Sequence, residues 1–225
     1  MSSVKAVYFL LQKEFKQELK DKSASWAILL YVLSSVYVAY LCFQQVLSLN
    51  TWVALLWVIV LFGTLNATTR VFDKEANGRT LLLNLLATPA QIVWSKSLFA
   101  VALSLCVSLV GGVSFFFLLG KPNPDLVLVN LLFFFLVLVL GSVGLGFLLV
   151  LINGIAFKSG SSLGLSTILA LPVAMPLLLL LIRCSKLVLQ GQPFEIFQKY
   201  FLSLGLLDGL IVMLSSLLFP YLWRD

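Results

Sequence analysis

Residues 126–157 read LVLVNLLFFFLVLVLGSVGLGFLLVLINGIAF, a stretch without a single charged side chain. Roughly 20 helical residues cross the hydrocarbon core of a bilayer, which is about 30 Å thick. A charge in that core is costly, so an apolar run of this length predicts a membrane-spanning helix. Lipid is therefore expected to be the main solvent around this fold.

Other charge-free runs predict further spans. Residues 97–120 and 159–182 are each long enough for one crossing, and residues 200–223 are interrupted only by Asp208. The run 23–69 would be about 70 Å long as one helix, far more than a bilayer needs. Polar side chains in its middle predict a turn between two spans: Gln44, Gln45, Ser48, Asn50 and Thr51.

Together these runs predict an all-α polytopic membrane protein with six transmembrane helices in a single domain, residues 1–225. The predicted spans are about 24–43, 51–69, 97–119, 126–152, 162–182 and 201–223. Composition agrees, because 61% of the residues are hydrophobic and only 11% are charged. Such a composition excludes a water-soluble domain.

The positions of lysine and arginine predict which end faces the cytoplasm. The formal net charge of +6 would suggest a nucleic-acid partner in a soluble protein, but in a membrane protein the placement of the charges matters more. With the N-terminus inside, only four of the 15 basic residues fall outside: Lys121, Arg183, Lys186 and Lys199. The chain is therefore predicted to be N-in and C-in, with no nucleic-acid partner.

Two segments outside the spans are predicted to be structured. Residues 1–22 predict an amphipathic helix on the cytoplasmic membrane surface, either a basic anchor for anionic lipid or a docking site for a partner. Its apolar side consists of Val4, Val7, Tyr8, Leu11, Phe15 and Leu19. On the outside, residues 183–199 predict two short interfacial pieces around a turn at Gly191 and Pro193.

The longest cytoplasmic loop, residues 70–96, contains a leucine-rich stretch outside the bilayer. This stretch consists of Leu81, Leu82, Leu83, Leu85 and Leu86. A short apolar helix in this place needs a cover, which is either the lipid interface or another protein. Pro89 is expected to end the helix, because proline lacks an amide donor and disfavours helical geometry in the residue before it.

No catalytic, metal-binding or nucleotide-binding site is predicted. Gly154 with Lys158 and Ser159 imitates the spacing of a phosphate-binding loop, but Phe157 stands where the second glycine is needed. The sequence has no histidine, and its three cysteines form no CxxC pair. The chain is therefore not expected to be an enzyme, and ATP hydrolysis is expected on a partner chain.

Five residues within the spans are candidates for helix packing or a transport pathway: Gly141, Gly144, Pro172, Pro176 and Asp208. The glycines allow close helix contact, either within the chain or at a subunit interface. The prolines favour kinks, which occur in transport pathways and in inert bundles. Asp208 is predicted about two turns from the outer end of its helix, near the interface or paired with an outer basic residue, with a proton relay as the alternative.

The order of these features resembles the membrane subunits of type-2 ABC exporters. After the second span the loop reads FDKEANGR at residues 72–79, followed by the leucines, Thr88-Pro89 and Lys96. Further along, the chain resembles the CcmB family, the haem exporter permease of cytochrome c maturation. The matching positions are Gly141 to Gly146, Lys158-Ser159-Gly160, Leu171-Pro172 with Pro176, and Phe219-Pro220-Tyr221. One departure is Leu81 to Leu83, where the family more often has an acidic residue.

The resemblance implies a permease that couples ATP hydrolysis by a partner ATPase to haem export or to release of a haem-loaded chaperone. The implied partners are the ATPase CcmA, CcmC, CcmD and the haem chaperone CcmE, with a homodimer of this chain in the bacterial cytoplasmic (inner) membrane. The implied ATPase-coupling residues are Phe72, Asp73, Glu75, Gly78, Leu82, Leu85 and Pro89. Haem is expected on a partner, because without histidine only cysteine, methionine or tyrosine could ligate its iron axially.

Two other functions stay open from the sequence. The chain could be the permease of another type-2 ABC exporter, with a lipid, polysaccharide or drug as cargo. It could also be a membrane scaffold that transports nothing. The sequence of one chain does not separate these functions, because a conduit is a property of the assembled dimer.

Overall fold

The computed structural model describes residues 3–20, 22–43, 47–73, 88–123, 127–158 and 163–222. Within these ranges the chain forms seven helices and no strand. They are α1 (Ser3–Lys20), α2 (Lys22–Phe43), α3 (Leu49–Asp73), α4 (Pro89–Leu118), α5 (Leu128–Lys158), α6 (Leu163–Leu189) and α7 (Phe194–Leu222). The described part of the chain is therefore all-helical.

Six of these helices, α2 to α7, are long and apolar enough to cross a membrane. The crossing segments are Trp26–Phe43, Leu49–Val71, Ala90–Leu118, Leu128–Ala156, Ile168–Leu189 and Phe194–Leu218. Their outward faces carry large apolar side chains such as Phe117, Ile168 and Leu206. Exposed apolar surface of this extent is suited to lipid rather than water. The chain is thus a multi-pass membrane protein, as the charge-free runs predict.

Several helices extend beyond the predicted spans, most of all α4, α6 and α7. α4 begins at Pro89 where the sequence predicts a span from 97, α6 continues to Leu189 rather than 182, and α7 begins at Phe194 rather than 201. The predicted bounds lie next to charged side chains. A charge marks where a segment stops suiting lipid, whereas a helix ends where its backbone hydrogen bonds end.

A tight turn at Gly191 joins α6 to α7. The φ angle of Gly191 is +73°, in the left-handed region that glycine adopts readily. The amide of Gly191 donates to Val188 O at 3.1 Å, and that of Gln192 donates to Leu187 O at 3.3 Å, the Schellman pattern of helix C-termini. The predicted turn around Gly191 and Pro193 is present, but the residues on either side belong to α6 and α7 instead of separate interfacial pieces.

α5 is the central helix and packs against α3, α4, α6 and α7. α7 runs parallel to it, since the ring of Phe133 lies 5.3 Å from that of Phe197 and, further along both helices, Gly144 faces Asp208. Successive spans therefore alternate in direction. The arrangement places α3, α5 and α7 parallel to one another, with α3 and α5, whose membrane-crossing segments are the most buried, in the interior of the bundle.

α4 runs antiparallel to α5. Ser104 Oγ donates to Ser142 O at 2.6 Å, while Trp94, earlier in α4, lies against Phe147, later in α5, with ring centroids 5.9 Å apart. The bundle thus has two distinct ends. We call the end where α3 stops and α4 starts, on either side of residues 74–87, the loop end, and the opposite end, with Gly191, the turn end.

Aromatic rings fill the interior at the turn end. The indole of Trp52 on α3 lies 5.3 Å from the ring of Phe115, 5.1 Å from that of Phe116 and 5.9 Å from that of Phe134. Such pairs contribute about 0.5–1.5 kcal/mol each beyond the apolar area they bury. They join α3, α4 and α5 firmly on this side.

Candidate functional site

Asp208 on α7 is a carboxyl in the interior of the bundle, only 5% exposed. Because α7 begins at Phe194, Asp208 lies about 21 Å along the helix, near its middle. The sequence predicts it about two turns from the outer end, but the earlier start of α7 moves it inward. The carboxyl therefore lies at the depth where a charge is most costly in a bilayer.

Neither oxygen of the Asp208 carboxyl has a hydrogen-bond partner among the residues that the structure describes. Two of the outer basic residues considered as its partners, Arg183 and Lys199, are exposed instead. Burying an ionised carboxylate without a partner costs several kcal/mol. A buried carboxyl without a partner is therefore a candidate functional group rather than an ordinary packing residue.

Gly144 on α5 is the residue that allows Asp208 to fit. A Cβ atom at Gly144 would overlap Asp208 Oδ1 and would approach Leu177 Cδ2 to 3.0 Å. The glycine thus lets α5 close directly onto the carboxyl, and Leu177 of α6 lies beside the same glycine. We call Asp208, Gly144 and Leu177 the central site. The sequence selects Gly144 and Asp208 separately, and the structure brings them together.

Gly141 likewise leaves space for a neighbouring side chain, the indole of Trp57. A Cβ atom at Gly141 would overlap the Trp57 ring and approach Leu181. The Trp57 Nε1–H in turn donates to Ser185 Oγ at 2.9 Å. The contacts of Gly141 and Gly144 therefore lie within the chain, so both glycines act in packing its own helices together.

Pro172 and Pro176 lie away from the central site. α6 continues as a helix through both prolines. Both are exposed on the outer face of α6, whereas Ala174 and Leu177 form its buried face. The prolines therefore face lipid or another subunit, and of the five predicted intramembrane candidates only Gly144 and Asp208 meet.

A second polar feature lies at the loop end, where Lys96 of α4 is 1% exposed. Its Nζ donates to Val71 O, in the last turn of α3, at 2.9 Å. A cation in this place donates a hydrogen bond to a carbonyl that has no partner within its own helix, and it interacts favourably with the helix dipole. The sequence predicts Lys96 in the cytoplasmic loop. Because α4 begins at Pro89, the lysine instead joins α3 to α4 at the base of residues 74–87.

α1 packs over this end of α4. The ring of Phe15 meets that of Phe99 edge to face, with centroids 5.1 Å apart. Glu14 and Glu18 are buried, whereas Tyr8 is 67% exposed. α1 covers residues 3–20 of the region predicted as an amphipathic surface helix, but its inner face is partly acidic and Tyr8 of the predicted apolar side faces outward.

The residues expected to couple to an ATPase are only partly described. Phe72 and Asp73 are the last residues of α3. Pro89, expected to end a preceding helix, is the first residue of α4, a position where the missing amide of proline costs little. The predicted coupling helix lies outside the described residues, with Glu75, Gly78, Leu82 and Leu85.

Polar side chains that the sequence analysis does not select lie between the central site and the loop end. Asn153 Nδ2 of α5 donates to Thr68 Oγ1 of α3 at 3.1 Å. Asn153 Oδ1 and Ser215 Oγ are buried without a hydrogen-bond partner in the described ranges. In the sequence, each of these residues stands out only as a single polar residue in an apolar run. That signal is weak, because serine and asparagine also serve in ordinary helix packing.

Comparisons of the chain with protein-family models, with curated proteins and with solved structures find no match. Among the described residues no group of three or more histidine, cysteine, aspartate or glutamate side chains could hold a metal ion. The central site thus offers one carboxyl in apolar surroundings.

The contact between Gly144 and Asp208 can be tested by adding one methyl group. We expect Gly144→Ala to destabilise the purified chain by about 1–3 kcal/mol, because overpacking forces α5 away from α7. Gly205→Ala on α7 is the matched control, since a Cβ atom there would meet nothing within 4 Å. Unfolding in mixed detergent, followed by circular dichroism, measures both variants.

A double substitution assigns the effect to the carboxyl. Asp208→Ala removes the atom that the new methyl group would strike, so Gly144→Ala should cost less in that background. An equal cost in both backgrounds would contradict the contact. Equal effects of Gly144→Ala and Gly205→Ala would contradict it as well.

The hydrogen bond from Lys96 to Val71 provides an independent test of the loop end. Lys96→Met keeps an unbranched side chain but leaves the Val71 carbonyl without this donor, so we expect a loss of about 1–3 kcal/mol in unfolding free energy. Lys199→Met, at an exposed lysine near the turn end, should change it by less than about 0.5 kcal/mol. Equal effects would show that the buried bond contributes nothing.

Proposed function

We propose that this chain is the membrane permease subunit of an ATP-binding-cassette exporter complex. The observation that carries the proposal is the construction of the loop end. There α1, the end of α3 and the start of α4 are packed together around the base of residues 74–87. A partner pressing on those residues would move these helices as a unit, as a subunit driven by an external motor requires.

A packed route leads from the loop end to the central site. Val150 of α5 belongs to the same apolar cluster as Val71 of α3 and Phe99 of α4. About 9 Å further along α5, Gly144 contacts Asp208 of α7. Because packed interiors shift between discrete arrangements rather than deforming gradually, a displacement at the loop end would reach α7.

In this proposal the loop end faces the cytoplasm and the chain is N-in and C-in. Exposed lysines at that end support the orientation, among them Lys5, Lys16 and Lys20 of α1. Cytoplasmic excess of basic residues is the strongest sequence signal of membrane topology. The proposed location is the bacterial cytoplasmic (inner) membrane, where an ATPase without spans of its own could reach residues 74–87.

The sequence resemblance supports cytochrome c maturation as the process served. On that basis the motor is CcmA, which binds ATP, and the haem-handling partners are CcmC, CcmD and the chaperone CcmE. Two copies of this chain form the membrane core. ATP hydrolysis then drives haem export or the release of the haem-loaded chaperone, with the haem held by a partner.

The competing functions differ in cargo or in the need for a motor. A permease for a lipid, polysaccharide or drug would have the same loop end, so only cargo separates it from the proposed function. A passive scaffold needs no costly group in its interior, and the buried carboxyl of Asp208 therefore favours a working subunit over a scaffold.

Two charges in the leucine-rich stretch test the docking. We expect the double variant Leu82→Asp and Leu85→Asp to abolish co-purification of the ATPase from solubilised membranes, because the carboxylates would be buried without partners in the contact. Gln190→Asp, at an exposed position of the turn end, is the matched control and should retain the ATPase. Recovery from carbonate-washed membranes checks that all variants insert.

Unchanged co-purification of the double variant would remove residues 74–87 from the docking mechanism. Cargo is tested separately in a deletion strain complemented with the wild-type chain. Loss of c-type cytochromes on deletion is the expected result. Normal cytochromes, with failed export of another compound, would replace haem by that cargo.

A further inference from the structure

The proposed function gives Asp208 no task, although this is the most costly side chain in the bundle to bury. Its oxygens have no described hydrogen-bond partner, and its neighbours on the buried stripe of α7 are apolar, with Leu204 on one side and Ile211 on the other. The question is what this carboxyl binds. The answer does not depend on which cargo or ATPase the complex uses.

The size of the central site and its lack of further ligands define the class of ligand. Gly144 lies directly against the carboxyl, and Leu177 lies beside the same glycine, so the space around Gly144 is filled. A divalent metal ion requires several oxygen, nitrogen or sulfur ligands, and the described residues offer no such group. A proton requires one oxygen and no added volume, so it is the cation that this site suits.

No neighbouring charge relieves the carboxyl. α7 packs against α4, α5 and α6. The titratable side chains on these four helices, apart from Asp208, are Lys96, Cys106, Lys158, Arg183, Cys184, Lys186, Glu195, Lys199, Tyr200 and Tyr221. Cys106 has a similar depth but is exposed, and the others lie about 9 Å or more away along the helix axes. Neutralisation of Asp208 therefore falls to a proton.

Two unpaired oxygens of the described residues lie on the loop-end side of the site, whereas at the turn end the unpaired Nε1 of Trp52 is enclosed by aromatic rings. Ser215 lies on the buried stripe of α7 about 10 Å from Asp208, and Asn153 lies about 13 Å from Gly144 along α5. Both have a buried oxygen without a described partner. Because α5 and α7 are parallel, both residues lie toward the loop end.

We propose that Asp208 is a proton-binding site, loaded and unloaded from the loop end past Ser215 and Asn153. In the closed bundle the carboxyl carries its proton. When α5 and α7 separate, water reaches the group, the O–H bond breaks, and the proton moves to water while the electron pair stays on the carboxylate. The bundle closes again after a proton returns, because an unpaired carboxylate is too costly to bury there.

Infrared spectroscopy of the full chain in lipid nanodiscs tests the bound proton. We expect a C=O stretching band of a protonated carboxyl in an apolar environment, and its loss in Asp208→Asn, which keeps the shape of the side chain. Labelling aspartate carboxyls of the wild-type chain with ¹³C should shift the same band and needs no substitution. Raising the pH should remove the band reversibly.

Deuterium exchange of that carboxyl tests the route. We expect Ser215→Ala to slow the exchange several-fold without removing the band. Ser216→Ala is the matched control, since Ser216 is the next residue and its hydroxyl already donates to Met213 O at 2.8 Å. The control should exchange at the wild-type rate.

Three results would overturn the proposal. A spectrum without a protonated aspartate band would show that Asp208 is ionised in the folded chain. A band unchanged at every pH at which the chain stays folded would make the carboxyl a permanent packing group. Equal exchange in the two serine variants would overturn the route. None of these measurements involves an ATPase or a cargo, so a failure here is distinct from a failure of the proposed function.

Discussion

Lipid donates and accepts no hydrogen bonds, so the polar groups inside this bundle have to be satisfied by the protein itself. Trp57 and Ser185 form such a pair, as do Lys96 and the Val71 carbonyl. The carboxyl of Asp208 has no such pair in the described ranges. The carboxyl is instead enclosed, because the absence of a side chain at Gly144 lets the backbone of α5 lie directly against it. Since α5 also packs on three other spans, the carboxyl lies against the helix that most of the bundle shares.

The two ends of the bundle differ in a way that suits a driven subunit. The turn end is filled by the rings around Trp52, which hold α3, α4 and α5 together. The loop end combines the Lys96 hydrogen bond with α1 packed against Phe99. Between the ends, α5 carries Val150 in the loop-end cluster and Gly144 against Asp208. A push at the loop end therefore acts on the helix whose Gly144 lies against the central carboxyl.

The number of spans followed from the sequence because lipid excludes charge whatever the tertiary contacts are. The helix ends could not be predicted in this way, since Lys96 and Arg183 are charged yet lie within helices. Lys96 is accommodated there because it donates a hydrogen bond to the Val71 carbonyl at the end of α3. Because the last span was predicted to start at 201 rather than at Phe194, Asp208 was also predicted too near the outer end of its helix. Its contact with Gly144 joins positions 64 residues apart, which no local pattern encodes. Ser215 could not be distinguished from an ordinary packing serine without knowing which face of α7 is buried.

The proposed function requires that the two ends of the alternating six-span bundle lie on opposite sides of the membrane, with the loop end in the cytoplasm. In a chain whose three cysteines are replaced, Thr88→Cys and Gln190→Cys each place one thiol at an exposed position of one end. A membrane-impermeant maleimide should label Thr88→Cys only in inside-out vesicles and Gln190→Cys only in right-side-out vesicles. Labelling of both from the same side would contradict the six-span bundle, and the reversed pattern would contradict the cytoplasmic loop end.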